Sequence, residues 1–152
     1  MKGLIVLALL SLLSIALCEV ESDKSHGWGD KIQWKKLDEA LSDDSKPTLV
    51  VIHKSWCGAC KNLRPKFAES EEIAQLSAHF NMVNTLDDEE PSDSQFKPDG
   101  GYIPRILFVD HKTKKVDPNI YNENGNPSYK YYYGDVSGIA DAMKRAKELL
   151  KA

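Results

Sequence analysis

Apolar positions along this chain fall into three rhythms, and each predicts a different element. The first is a run from Leu4 to Leu17 of aliphatic and small residues, two of them serines, behind the single basic residue Lys2. It is too short to cross a bilayer comfortably and predicts a secretory signal peptide spanning residues 1–18, with Ala16 and Cys18 at the small-residue positions before the cut. The polar residues Glu19 to Gly27 show no periodicity and are expected to form a flexible lead-in, so that the domain occupies residues 28–152.

The second rhythm is helical. Trp34, Leu37 and Leu41 share a face over Asp30–Leu41, with Asp30 as a candidate N-cap, and the Asp43–Pro47 cluster ends that helix. Leu63, Phe67, Ser70 and Ala74 place a second helix after Cys60, with Pro65 inside it, expected to bend the axis. Val136, Ile139, Ala140, Met143 and Leu150 mark the core face of a last helix that Asp135 can cap.

The third rhythm is continuous. Leu49, Val50, Val51 and Ile52, within Thr48–His53, predict a strand covered on both faces at the centre of a sheet. Phe80–Leu86 and Ile106–Val109 predict two more strands, and Tyr129–Tyr133 a fourth. The Asp87–Asp99 stretch, with four consecutive acids and two prolines, reads as a loop. The order of elements predicts one α/β domain with a central mixed β-sheet flanked by helices.

Charge narrows the function classes. The chain carries 20 basic and 23 acidic residues, a net charge of −3, and loss of Lys2 with the signal makes it −4; nothing points to nucleic acid, and no membrane is expected after cleavage. Of three cysteines, Cys18 leaves with the signal. Cys57 and Cys60 remain, two residues apart between a strand and a helix. Half a zinc site looks the same, but there is no second pair, and His26, His53, His79 and His111 lack paired spacing, so no metal is expected. A merely structural disulfide across so short a loop would stabilise little.

Redox chemistry suits the pair better. A cysteine at a helix start lies beside unpaired backbone N–H groups and the positive dipole end, which favours the thiolate that attacks disulfides. Cys57 is therefore expected to be the nucleophile and Cys60, one turn deeper, the resolving thiol. Trp56 is expected to shield one side, with Gly58 and Ala59 leaving the sulfur approachable. His53 reads as a packed strand residue with a proton-transfer role as the alternative, and Lys54 and Lys61 as solvated lysines that flank the thiols.

Trp56-Cys57-Gly58-Ala59-Cys60-Lys61, Pro65 to Ser70, Asp99 to Arg105 and Asn122 to Tyr129 resemble the small single-domain thioredoxin-like proteins of the endoplasmic reticulum and their anterior gradient relatives. The resemblance covers nearly all of the chain after the signal. It implies a thioredoxin fold and exchange of disulfides in client proteins through Cys57 and Cys60, with glutathione or another redox partner and no cofactor. Ile103–Pro104 stands where such proteins place a cis-proline facing the cysteines, with Ile103 then offering backbone to an extended substrate; an ordinary trans turn before the strand is the alternative. Anterior gradient relatives lack a complete pair; this chain keeps both. Larger thioredoxins place a buried carboxylate six residues before the first cysteine, where Val51 stands here. The family usually ends in a retention tetrapeptide, whereas this chain ends Leu149-Leu150-Lys151-Ala152, so secretion stands beside residence in the endoplasmic reticulum lumen. The competing reading is a non-catalytic chaperone or secreted binding protein of the same fold.

Overall fold

The computed structural model describes residues 23–152; the expected signal peptide and residues 19–22 lie outside them. At the centre is β1 (Thr48–His53), buried along its whole length. It pairs in parallel with β2 (Asn81–Leu86) and antiparallel with β3 (Arg105–Val109), giving a mixed three-stranded sheet of order β2-β1-β3.

The unbroken apolar run of β1 follows from cover on both faces. Leu49 and Val51 point into a cluster with Trp28, Leu63, Phe67, Ile73, Ile139 and Met143. Val50 and Ile52 point the other way, to Ala40, Val83, Phe96, Leu107 and Tyr131. Alternate side chains of a strand face opposite sides, so each face takes half the run.

Three helices cover the first face: α2 (Gly58–Glu69), α3 (Glu71–Leu76) and α4 (Val136–Leu149). Asp135 caps α4 by accepting the Gly138 N–H at 2.8 Å. The predicted second helix is divided at Ser70 and not at Pro65, which α2 runs through. Ser70 ends α2, and its hydroxyl then accepts the Ile73 N–H at 3.2 Å to start α3. A serine that offers the backbone this local bond favours a helix boundary over a helix interior.

The first predicted helix is mostly absent; only α1 (Leu37–Ser42) forms. Trp34 belongs to the first apolar cluster, while Leu37 and Leu41 pack on the second. One continuous helix cannot serve opposite faces of a sheet, so the chain crosses the edge of β2 as an extended segment, with Lys35 N donating to Met82 O at 2.9 Å. Residues 23–27, within the stretch expected to lead into the domain, form turns seated on β2, where Asn84 Nδ2 donates to Lys24 O (2.8 Å) and Ser25 O (3.2 Å). Gly29, at φ +125°, sits so close to α2 that a Cβ would meet the Ala68 Cα at 3.2 Å.

Tyr129–Tyr133 is not a strand. Ile106 N donates to Tyr131 O at 2.9 Å, but the ladder stops there because other partners take the neighbouring backbone groups. Asp99 accepts the Lys130 N–H, the Tyr102 hydroxyl accepts the Tyr131 N–H, and Tyr132 N turns back to Tyr129 O. The alternation survives without the ladder: Tyr131 packs in the second cluster and Tyr133 in the first. Among the described residues no helix is long and apolar enough to cross a membrane.

Candidate active site

The chain leaves β1 through a turn, Lys54–Trp56, closed by Cys57 N donating to Lys54 O at 3.3 Å and tied to the acidic loop by Ser55 N donating to Asp87 Oδ1 at 2.9 Å. Cys57 is the N-cap of α2, and its sulfur accepts the Cys60 N–H at 3.1 Å. The two cysteines are joined as a disulfide, with Cα atoms 5.3 Å apart. The electrostatics follow from this placement, because the Cys57 sulfur sits where α2 presents unpaired N–H groups and partial positive charge.

Access to the pair is narrow. Cys57 is 5 % and Cys60 2 % exposed, so the expected contrast in burial is small in this oxidised form. Trp56, beside the pair, is 73 % exposed and presents its indole largely to solvent. Gly58 is exposed with open space beside it, and Ala59 is half-buried.

The groups behind the cysteines are apolar or already engaged. Val51 is wholly buried in the first cluster and supplies no carboxylate. His53 is buried between Trp28 and Asn84. Its Nδ1 accepts the Trp28 indole N–H at 3.4 Å. Because the Asn84 amide N–H groups go to Lys24 O and Ser25 O, the Asn84 oxygen accepts from His53 Nε2 at 3.1 Å. Burial pushes the His53 pKa down to about 4, so the ring is neutral with both nitrogens in use, and it serves the packing. Among the described residues no cluster of side chains suited to a metal ion is present.

Ile103–Pro104 is cis. The β1–β3 register pairs Ile52 with Arg105, and continuing it sets Pro104 opposite His53 and Ile103 opposite Lys54, at the end of the sheet where the cysteine turn emerges. Ile103 is half-buried and Pro104 buried.

Two residues here escaped the sequence reading. Arg105 is fully buried, and its guanidinium donates to Phe96 O (3.0 Å), Tyr102 O (2.6 Å) and Glu90 Oε1 (2.5 Å). Glu90 Oε2 holds the Lys54 ammonium at 2.7 Å, and Lys54 also donates to Asp87 O at 2.8 Å. Lys54 is thus committed to the acidic loop, while Lys61 is exposed. Burial pushes the Glu90 carboxyl up, but the bonds from Lys54 and Arg105 outweigh it and hold the group below the usual range. The available signal was Arg105 itself, a lone charge leading an apolar strand run.

Comparison with known proteins agrees with this geometry. The sequence profile of a thioredoxin-like family matches residues 33–111. Human anterior gradient protein 2 homolog is 36 % identical over 131 residues, covering 84 % of this chain and 73 % of its own. Mouse anterior gradient protein 3 is 35 % identical over 133 residues, with 84 % and 79 % covered. Anterior gradient protein 2 of Xenopus tropicalis is 30 % identical over 160 residues, with 99 % and 96 % covered. Among solved structures, a disulphide isomerase from Xylella fastidiosa Temecula1 superposes with a TM-score of 0.50 at 22 % identity, covering 87 % of this chain and 99 % of that one.

Proposed function

This chain belongs to the thioredoxin-like family and is a relative of the anterior gradient proteins, and from that premise we propose that it exchanges disulfides with client proteins of the secretory pathway through Cys57 and Cys60. One observation carries the reading: a complete cysteine pair, already joined, with the first sulfur capping α2 and accepting the Cys60 N–H. That N–H and the helix end stabilise negative charge on Cys57 more than on Cys60, which lies within the helix.

In the reducing direction, the Cys57 thiolate attacks one sulfur of a client disulfide. The client S–S bond breaks, a Cys57–client bond forms, and the other client sulfur leaves as a thiolate that takes up a proton. Cys60 then gives its proton to water, since Val51 offers no base and both His53 nitrogens are engaged. The Cys60 thiolate attacks the Cys57 sulfur, closing the Cys57–Cys60 bond and releasing the second client thiolate. The client gains two electrons and the protein loses two. The oxidising direction is the same sequence reversed, and the pair is reset by two glutathione molecules, which leave as their disulfide, or by another redox partner. The exposed Trp56, with Gly58 and Ala59, borders the approach, and the Ile103 backbone beside Pro104 receives the extended client segment. The endoplasmic reticulum lumen or the extracellular space is the compartment in which such a pair has disulfides to act on.

Insulin reduction and refolding of a scrambled disulfide protein test this directly. Wild type should accelerate both, and the Cys57→Ser, Cys60→Ser double variant should fall to the uncatalysed rate. Equal rates for the two proteins would remove the enzyme reading and leave a binding protein.

A further inference from the structure

The charged chain Lys54–Glu90–Arg105 links the two halves of the candidate site. Lys54 belongs to the turn that delivers Cys57, whose own N–H is bonded to the Lys54 carbonyl. Arg105 directly follows Pro104, and its Nη1 fixes the Tyr102 carbonyl on the other side of Ile103. Between them stands one carboxylate. Glu90 gives one oxygen to Lys54 and the other to Arg105, with the half-exposed Lys97 ammonium 4.0 Å from the oxygen that meets Arg105. Asp87, in the same loop, adds a second tie by accepting from Ser55 N through its side chain and from Lys54 through its carbonyl.

These bonds hold the loops of the sheet's second face, and they do so by joining the two segments that border the cysteine pair. We propose that Glu90, with Lys54 and Arg105, is a positioning device for exchange. It sets the distance and orientation between the Cys57 sulfur and the Ile103 backbone, so that a client segment paired at Ile103 presents its disulfide to the sulfur. The inference rests on the disulfide-exchange reading above. It has a selective consequence: a client that uses the Ile103 backbone needs the device, and a small disulfide that approaches the sulfur alone does not. Reactivity depends steeply on such geometry, and a displacement of about 1 Å can cost as much as a hundredfold in rate.

The test compares reduced wild type, Lys54→Met, Lys54→Arg, Glu90→Gln and the Lys54→Met, Glu90→Gln double variant on two substrates, an extended disulfide-bonded peptide and a small aromatic disulfide. Thermal unfolding establishes which variants are folded. Lys54→Met keeps the Glu90–Arg105 pair, so it carries the test if Glu90→Gln does not fold. In Lys54→Met, kcat/KM for the peptide should fall about tenfold further than for the small disulfide, mostly through KM. The double variant should be no worse than Glu90→Gln alone, which already cuts the link to Lys54. Lys54→Arg should restore the peptide rate. Folded Lys54→Met with equal losses on both substrates, or with none, overturns the positioning role. Wild type unreactive with both substrates overturns the exchange reading itself.

Discussion

The two faces of the sheet are held by different physics. The helical face is a continuous apolar body running from Trp28 through Phe67 to Met143, closed by T-shaped packing of Trp28 on Phe67 at 5.2 Å. The other face carries a smaller apolar cluster and is finished by loops, with the buried Arg105 holding three of their acceptors. On the first, stability comes from area removed from water and tolerates any good fit. On the second it comes from particular bonds, each of which leaves a buried charge or carbonyl stranded if its partner is lost.

The sharpest contrast pairs one variant from each face. Phe67→Ala and Arg105→Met should each cost about 4 kcal/mol, the first through a cavity and the second through a Glu90 carboxylate left with its lysine partners only and two orphaned carbonyls. They should differ in kind. By native-state hydrogen exchange, Arg105→Met should open residues 87–103 far below the global unfolding free energy, whereas Phe67→Ala should lower protection evenly. Uniform loss in both would erase the distinction between the faces.

A smaller effect lies where apolar packing meets a titratable group. His53 is neutral in the folded protein, with its pKa down at about 4, while an unfolded chain binds that proton near the ordinary 6.5. The contribution is fully present above pH 6.5 and is lost as pH falls toward 4, by about 3 kcal/mol in all. Urea unfolding between pH 7 and 4 should show this slope in wild type and not in His53→Gln. The smallest effect tests the helix boundary. Ser70→Ala removes the cap of α3 and should cost about 1 kcal/mol in thermal unfolding; a neutral result would mean that packing alone sets the break between α2 and α3.

The same contrast explains what could be read from the sequence. Periodicity carries the apolar face, so α2, α4 and all three observed strands were legible, as was the cysteine pair between β1 and α2. Side-chain alternation in Tyr129–Tyr133 was also visible, yet the strand was not there. Its backbone partners are Asp99 and the Tyr102 hydroxyl, which lie about 30 residues away in sequence and which no local pattern announces. Asp30–Leu41 misled for a related reason. Its helical spacing is real, but Trp34 and Leu37 are claimed by opposite sides of the sheet. Four acids in a row looked like a solvated loop, and nothing in their order marked Glu90 as the one turned inward to meet Arg105 and Lys54.

The irregular segments along the outer strands have a bearing on traffic with unfolded chains. β2 is already met by Lys35 at Met82, while β3 is met by Asp117 at Phe108, by Val116 at Val109 and by Tyr131 at Ile106. A bare strand edge is a template for pairing with other extended chains, and the proposed exchange with client proteins would bring such chains close. Here each edge already carries bonds to the chain's own backbone, one on β2 and several on β3. On the proposed reading, this leaves the end of the sheet where the cysteine turn emerges as the place for a client to be met.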